Sequence, residues 1–333
     1  MKIVHQIGNS QIVIEDAPVP KPGPGEVLIK TAVSALCGSE MHTWRGEGKS
    51  FGNLGHEAAG VVVELGEDVD KLRPGQRVGV SAIVGCGACE YCCAGKYTWC
   101  DHFTFHSDMH AEYFVIPERG CHLLPEDISW GTGVLITGDG LGVPYHTSTK
   151  IAEEQIETIA IFGLGPIGLG NVLVQSHLGR RVIGIDRSPA RLELARKLGA
   201  AELIAADEDK DVPTIIKEST NGHGADVAIE AAGIPVTARM CFATVCKGGR
   251  VIFNGEQPAL PLSPSDDFIR RDITATGSWF YHFAEYTKML ELARGGLPVA
   301  DLITHRYPLI DAAEGYHAMQ NGISGKVLLV YAQ

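Results

Sequence analysis

Long apolar segments and clusters of basic residues are both missing from this 333-residue chain. No apolar stretch approaches the roughly 20 residues that a transmembrane helix needs. The net charge is −12 and there is no run of Lys or Arg, so binding to the phosphate backbone of nucleic acids is not expected. The first residues contain neither a long apolar segment nor a cleavage site, so we expect a cytoplasmic protein.

Nine cysteines are present, an odd and high number for this length. Four of them form a C-x2-C-x2-C-x7-C pattern in a glycine-rich segment, at Cys86, Cys89, Cys92 and Cys100. Thiolates at this spacing can surround one tetrahedral zinc ion and leave no position for a substrate. The pattern therefore predicts a structural zinc site rather than disulfides. We interpret Cys93 as a bystander, and we predict small buried hydrophobic roles for Cys121, Cys241 and Cys246.

The chain changes character near Val143. Before it, short alternating segments separated by Gly and Pro turns predict a mostly β, barrel-like domain. After it, apolar segments alternate with helical periodicity, which is typical of a parallel, doubly wound Rossmann sheet. The tail ends in an apolar strand that we expect to rejoin the first domain. We thus predict an α/β protein with a catalytic domain at 1–144 and 283–333 and a nucleotide-binding domain at 145–282.

A glycine motif, GLGPIG, follows the predicted apolar strand at residues 158–162 and opens a predicted helix. Its residues include Gly163, Gly165, Pro166, Ile167 and Gly168. In this context the helix N-terminus binds the pyrophosphate of a dinucleotide. Asp186 ends the next predicted strand. A carboxylate at this position accepts hydrogen bonds from the ribose hydroxyls of NAD and repels the 2′-phosphate of NADP. NAD is therefore expected, although Arg187 could pair with such a phosphate. The alternative is a glycine turn that only packs helix on sheet.

Cys37 and His56 form a second possible metal site outside the cysteine cluster. A thiolate and an imidazole are natural zinc ligands, and a catalytic zinc usually has three protein ligands and one open position. The best third candidate is Asp139, in the segment TGDGLGVPYH. A lone Asp beside glycines is more often a turn former or a helix cap, so both interpretations stay open on spacing alone.

These motifs resemble the zinc-dependent medium-chain alcohol dehydrogenase family, and most of all its sorbitol and threonine dehydrogenase branch. The resemblance covers the whole length, and its most specific part is GHEAAG at residues 55–60, followed by Gly66 and Val69 at the family's spacing. It implies a GroES-like first domain and Asp139 as the third zinc ligand. Polyol-type members usually have Glu there, classical alcohol dehydrogenases have Cys, and some formaldehyde-dehydrogenase-like members use Asp. The sub-branch and the substrate therefore stay open.

The resemblance also implies roles for residues around this second zinc. Ser39 is expected to contact the substrate oxygen and His42 to pass the proton to solvent. Glu40 is expected to orient the His56 ring from outside the ligand set. Glu57 is expected to lie beside the metal and to ligate it transiently when water or product exchanges.

The reaction that these parts imply is the reversible oxidation of an alcohol to a carbonyl compound, with two zinc ions per subunit. Zinc would polarise the substrate oxygen, NAD would accept the hydride, and the proton would leave through Ser39, the nicotinamide ribose and His42. Ile167 would lie behind the nicotinamide ring, and Arg191 would approach the adenosine ribose. Substrate is expected to bind in the cleft between the domains.

The identity of the alcohol is not settled by these motifs. Four aromatic residues could line an apolar pocket or fill the core, namely Trp44, Phe51, Phe103 and Phe105. Three histidines follow the cysteine cluster, at His102, His106 and His110. They could hydrogen-bond a polyhydroxy substrate, but we favour surface or loop packing for them.

Two other functions fit parts of the pattern. A zinc-free quinone or enoyl reductase would share the two domains, but such relatives usually lack the cysteine lobe, Cys37 and His56. A catalytically silent NAD-binding protein would be indicated by loss of Cys37, Ser39 or His56, but all three are present. The predicted strand at residues 273–279 ends the nucleotide-binding sheet and would present an open edge. In the family this edge pairs with a second subunit, so we expect a homodimer or a homotetramer.

Overall fold

The structure, a computed structural model, describes residues 1–152, 155–207 and 209–332. In the described part the strands are β1 (Lys2–Gly8), β2 (Gln11–Asp16), β3 (Glu26–Leu36), β4 (Ala58–Leu65), β5 (Arg77–Val80), β6 (Ile83–Val84), β7 (Thr104–Phe105), β8 (Tyr113–Pro117), β9 (Cys121–Leu123), β10 (Thr158–Phe162), β11 (Arg181–Asp186), β12 (Glu202–Ala205), β13 (Ala225–Glu230), β14 (Val245–Phe253), β15 (Thr274–Gly277), β16 (Ile303–Pro308) and β17 (Lys326–Val330). The α-helices are α1 (Glu40–Arg45), α2 (Glu90–Cys93), α3 (Trp130–Ile136), α4 (Asp139–Thr149), α5 (Pro166–His177), α6 (Pro189–Lys197), α7 (Val212–Ser219), α8 (Pro235–Thr244), α9 (Tyr286–Arg294) and α10 (Ala312–Gln320).

The chain forms two compact units. The first comprises Met1–Gly142 and Phe280–Gln333, and the second comprises Val143–Trp279. The tail therefore belongs to the first unit, where β17 pairs antiparallel with β3. No helix in the described ranges is both long and apolar enough to cross a lipid bilayer.

The first unit is built on a sheet with the strand order β16-β17-β3-β4-β5-β9, in which β8 also pairs with β3. All pairs except β16 with β17 are antiparallel. The central strand β3 is long and largely buried on both faces, because apolar residues occupy successive positions, as in Val27, Leu28 and Ile29. Val27, Ile29 and Val62 lie in one apolar cluster with Val78 and Ile116. Strand β3 ends at Leu36, directly before Cys37, the first candidate metal ligand.

The second unit contains a six-stranded, entirely parallel sheet with the order β12-β11-β10-β13-β14-β15. Numbered from β10, this order is 3-2-1-4-5-6, the doubly wound arrangement of dinucleotide-binding folds. Strand β10 is buried throughout, as a central parallel strand should be. The predicted α/β class is therefore confirmed. The last strand is shorter than predicted, since β15 spans only Thr274–Gly277 at the edge of the sheet.

Helix boundaries in this unit follow local signals. The Ser188 hydroxyl caps α6 by accepting the N–H of Arg191, and Pro189 occupies the first turn, where its missing N–H costs nothing. Gly199 has a φ of +104° just beyond the helix end, which a residue with a side chain rarely adopts. These signals fix α6 beside β11, whose last residue is Asp186.

Candidate active site

Four buried side chains of the first unit form a group that could hold a metal ion. Each offers one ligand atom, and these atoms lie within 4.8 Å of one another in Cys37, His56, Glu57 and Asp139. Cys37 follows β3, His56 and Glu57 precede β4, and Asp139 opens α4. The predicted trio is thus brought together from three segments that are up to 102 residues apart.

The Asp139 carboxylate has the geometry expected of a metal ligand. Its Oδ2 lies 3.0 Å from His56 Nε2 and 3.6 Å from Cys37 Sγ. Its Oδ1 is buried and has no hydrogen-bond partner among the described residues. Leaving a buried carboxylate oxygen unpaired is costly unless something else coordinates it. The donor set of one thiolate, one imidazole and one carboxylate suits zinc.

The His56 ring is oriented by a backbone carbonyl. Its Nδ1 lies 2.8 Å from the carbonyl oxygen of Leu54, which can only accept, so Nδ1 carries the proton and Nε2 is left as the ligand. Burial opposes a charge on this ring, but the charge of Cys37, a hydrogen bond with Asp139 and other contacts with both residues raise the pKa of His56 well above its usual value. The same two anionic side chains, Cys37 and Asp139, are the donors that would attract a metal ion.

The predicted role of Glu40 is wrong. Rather than orienting the His56 ring, its Oε2 lies 3.0 Å from His110 Nε2, and its Oε1 accepts the N–H of Cys37 at 2.9 Å. The physical reason is that Leu54 already occupies His56 Nδ1, while the buried Glu40 carboxylate meets its own hydrogen-bonding partners. Burial alone would raise the pKa of Glu40, but the charge of His110 and its hydrogen bond lower it to about 2.

For His110 the sequence favoured surface or loop packing, and the structure rules out the surface position. Its side chain is completely buried. The neighbouring His102 is exposed and His106 is half-buried, so the three histidines do not act as one group. A histidine inside a polar loop gives no periodic signal, which is why its burial was missed.

Glu57, the fourth member of this group, is paired with Lys326, a residue that the sequence motifs did not reveal. Its Oε1 forms an ion pair with Lys326 Nζ, and its Oε2 accepts the N–H of Gly140 at 3.1 Å. Burial disfavours the lysine charge, but the Glu57 carboxylate raises the pKa of Lys326. The available signal was a single lysine at the start of the apolar segment KVLLV.

Ser39 and His42 lie close to Cys37 in sequence but are exposed. Ser39 precedes α1, where its hydroxyl makes no capping hydrogen bond, and His42 lies in the body of the helix. The structure describes no contact between either residue and the metal-ligand group. Both side chains are therefore accessible to solvent.

Aromatic rings surround one side of His56. Phe105 and Phe280 lie with their ring centroids 5.5 and 5.9 Å from that of His56. Phe105 is exposed, as are Phe51 and Phe103, whereas Trp44 is only 1% exposed and belongs to the core.

The four predicted zinc thiolates also converge. The Sγ atoms lie within 4.8 Å of one another in Cys86, Cys89, Cys92 and Cys100. Backbone N–H groups of Ala88 and Cys89 lower the pKa of Cys86 to about 6, which favours the thiolate that a metal requires. Cys93 is exposed, and its Sγ lies 4.0 Å from the carbonyl oxygen of Ala88, its one hydrogen-bonding contact among the described residues. Elsewhere Cys241 and Cys246 are buried, while Cys121 is half-buried against the core.

The glycine motif of the second unit leaves room for a ligand at one position. Gly165 precedes α5, and a Cβ placed there would meet nothing within 4 Å. Gly163 has a φ of +89°, and a Cβ on Gly168 would collide with Gly163 O. Two glycines are thus required by the fold itself, whereas Gly165 keeps an open approach to the helix N-terminus. That is the cradle a pyrophosphate would need.

Asp186 holds the same loop. Its Oδ2 accepts the N–H of Leu164 at 2.7 Å and its Oδ1 accepts the N–H of Ser188 at 2.8 Å. Each oxygen keeps a further lone pair for ribose hydroxyls. Arg191 Nε is buried and has no hydrogen-bond partner among the described residues, which fits a residue that meets a ligand. Arg187 is exposed and Ile167 is half-buried near the start of α5.

Comparison with known proteins places both units in families. The family described as alcohol dehydrogenase GroES-like domain matches residues 23–126, and that described as zinc-binding dehydrogenase matches residues 166–295. The chain is 32% identical to an L-threonine 3-dehydrogenase of Chromobacterium violaceum, over 94% of each chain. It is 30% identical to a probable D-xylulose reductase A of Emericella nidulans, over 97% of this chain and 94% of the relative. The alcohol dehydrogenase TADH of Thermus sp. ATN1 superposes with a TM-score of 0.89 at 26% identity, over 100% of both chains.

Proposed function

This chain belongs to the zinc-dependent medium-chain alcohol dehydrogenase family, and from that membership we propose that it reversibly oxidises a small secondary alcohol to a ketone with NAD. The membership itself makes the protein an oxidoreductase that interconverts alcohols and carbonyl compounds. The choice of NAD, the secondary alcohol and the number of zinc ions are our proposal. One observation carries it, the buried Cys37–His56–Asp139 group with its unpaired carboxylate oxygen.

The metal ligands would be Cys37, His56 and Asp139, which leave a fourth position for a substrate oxygen. Zinc would supply a Lewis acid at that oxygen, and NAD would supply the hydride acceptor. The exposed Ser39 hydroxyl would take the proton of the substrate hydroxyl, and His42 would pass it to solvent. Among the chain's own groups, Phe105 and Phe280 would present an apolar surface beside His56 and help to exclude water.

The cofactor preference rests on Asp186. Its carboxylate, fixed by two backbone N–H groups, would accept the hydroxyls of an adenosine ribose and repel a 2′-phosphate. Arg191 would donate to the same ribose through its unpaired Nε. Gly165 would let the pyrophosphate reach the N–H groups that begin α5.

The substrate class is proposed from the relatives' names, which refer to threonine and xylulose, both small and polar. We further propose a second, structural zinc in the four-cysteine lobe. We also propose a cytoplasmic location, because none of the nine cysteines, all within the described ranges, is in a disulfide. Strand β15 lies at a sheet edge, so we propose that it pairs with a second subunit in a homodimer or homotetramer.

Metal analysis combined with an alcohol screen tests this function. The wild type should hold two zinc ions per chain and reduce NAD with at least one secondary alcohol. Cys37→Ser and His56→Ala should each lose one zinc and all turnover while still binding NADH. The control is Cys93→Ser, an exposed cysteine outside the ligand groups, which should keep both metals and full activity. Undiminished turnover in Cys37→Ser would refute the metal centre, and NADH binding without turnover across the whole screen would favour a silent NAD-binding protein.

A further inference from the structure

Glu40 forms two hydrogen bonds with the backbone of Cys37, the first candidate metal ligand. The N–H of Cys37 donates to Glu40 Oε1 at 2.9 Å, and the N–H of Glu40 donates to Cys37 O at 3.2 Å. These reciprocal bonds close the turn between β3 and α1. The turn contains Gly38, whose missing side chain would meet nothing within 4 Å, so packing at that position does not hold the loop. The carboxylate therefore provides the restraint that packing does not.

The carboxylate is in turn held by a buried polar network. Its Oε2 accepts the hydroxyl of Tyr316 at 2.6 Å and lies 3.0 Å from His110 Nε2. The other ring nitrogen of His110 lies 2.8 Å from Ser34 Oγ, which lies 2.8 Å from the hydroxyl of Tyr331. All five side chains are buried. Tyr316 and His110 contact the carboxylate directly and fix its position, whereas Tyr331 is three hydrogen bonds away from it.

His110 also supports the loop that carries the second ligand. Its ring lies against Gly55, the residue before His56, so closely that a Cβ on Gly55 would collide with it. In addition, Asn53 Oδ1 accepts the N–H groups of both Gly55 and His110, at 2.9 and 3.2 Å. The His110 imidazole thus contacts both ligand loops. It bonds to Glu40, which holds the Cys37 loop, and it packs against Gly55 in the His56 loop.

We propose that Glu40 and His110 are positioning residues that hold Cys37 and His56 in register with each other as metal ligands. Metal sites need ligands placed within a few tenths of an ångström, and the groups outside the ligand set provide that precision. Removing such a group typically weakens metal affinity by about 10- to 100-fold. The inference rests on the proposed metal centre, because it concerns how that centre is held.

Cobalt substitution tests the inference through a signal other than activity. Co²⁺ is introduced into the wild type, Glu40→Gln, His110→Phe and the control Tyr331→Phe, with Cys37→Ser as the reference for the four-cysteine lobe. Gln keeps the size of Glu40, and Phe keeps a ring against Gly55 without its nitrogens. Tyr331 lies at the far end of the same network and contacts Ser34. The readouts are the d–d and thiolate charge-transfer bands of the Cys37 site and the rate of cobalt release to a chelator.

Glu40→Gln and His110→Phe should shift these bands and release cobalt from the Cys37 site at least ~10-fold faster, while the four-cysteine lobe and NADH binding stay unchanged. Tyr331→Phe should match the wild type. Wild-type bands and release rates in both variants would overturn the inference. If both variants fail to fold, Tyr316→Phe replaces them, because it removes one hydrogen-bond donor to Glu40. Tyr316→Phe should also release cobalt faster, and a wild-type release rate in this variant would overturn the inference. A wild type that takes up no cobalt beyond the four-cysteine lobe would instead refute the proposed metal centre.

Discussion

Lys326 and Glu57 form a completely buried ion pair across 269 residues of sequence, immediately beside the candidate metal ligands. The pair balances the charges of the site. A Zn²⁺ ion would be neutralised by the Cys37 thiolate and the Asp139 carboxylate, and Lys326 offsets the additional carboxylate of Glu57. Lys326 Nζ also lies 3.4 Å from Leu36 O, so it contacts the end of the strand that leads into Cys37.

Replacing Lys326 by Met should destabilise the protein by about 3–5 kcal/mol, because it leaves the buried Glu57 carboxylate without an opposite charge. Urea unfolding of the metal-free protein measures this change without interference from metal binding. The double variant Lys326→Met/Glu57→Gln should recover most of the loss, since it removes both charges. The control is Lys2→Met, which breaks the exposed pair with Asp16 and should cost less than about 1 kcal/mol. Equal stabilities for Lys326→Met and Lys2→Met would show that the buried pair is not charged.

The two glycines that flank the start of α5 should respond oppositely to Ala. Gly165→Ala should change stability by no more than about 1 kcal/mol, because its Cβ enters open space, yet NADH should bind at least ~10-fold more weakly. Gly168→Ala should destabilise the cofactor-free protein, because its Cβ collides with Gly163 O. Thermal unfolding without cofactor and NADH titration by fluorescence separate the two effects. Unaltered NADH affinity in Gly165→Ala would remove the helix N-terminus as the pyrophosphate site.

Asp186→Ala should relax the choice between NAD and NADP. The ratio of kcat/KM for NADP to that for NAD should rise at least ~10-fold, because the variant loses both an acceptor for the ribose hydroxyls and a charge that repels the 2′-phosphate. Asp186→Asn keeps an acceptor for Leu164 N–H and serves as the control for the loop's structure. Cofactor selectivity that stays constant in both variants would show that Asp186 does not set it.

Local sequence patterns predicted the parts of this protein that are encoded within short segments. The four-cysteine lobe and the GLGPIG motif each lie within sixteen residues, and the alternation of apolar and polar residues distinguishes a mostly β unit from a doubly wound one. Asp139 was different, because its carboxylate beside glycines looked like a turn former. Only the family resemblance favoured it as a ligand, and only the fold brings its Oδ2 within 3.0 Å of His56.

The residues that support the site could not be predicted because their partners are remote in sequence. Glu40 and His110 are 70 residues apart, and Glu57 and Lys326 are 269 apart. A single histidine or lysine in a loop or at a strand end has no periodicity that reveals burial. Glu40 illustrates the limit of analogy, since the family role was assigned to a position where this chain's carboxylate meets His110 instead of His56.

His122 is another buried histidine, and its ring is held neutral. Its ring stacks between Phe283 and Tyr286, with centroid distances of 3.8 and 4.3 Å. The hydroxyl of Tyr281 donates to Thr137 O at 2.6 Å, so His122 Nε2, 3.1 Å away, must donate its proton to the Tyr281 oxygen. Burial lowers the pKa of His122 to about 3.

This lowered pKa makes stability depend on pH in a defined direction. In the unfolded chain the imidazole binds a proton as the pH falls through about 6.5, while in the folded protein it stays neutral down to about 3. The stability due to this difference is present above pH 6.5 and is lost progressively between 6.5 and 3. At pH 5 the wild type should therefore have lost about 2 kcal/mol more than His122→Phe, relative to pH 7.5. Urea unfolding of both metal-free proteins at the two pH values measures it, and because Phe keeps the ring stack, every other titrating group contributes equally to both. Parallel losses in the two proteins would mean that His122 is protonated in the folded state.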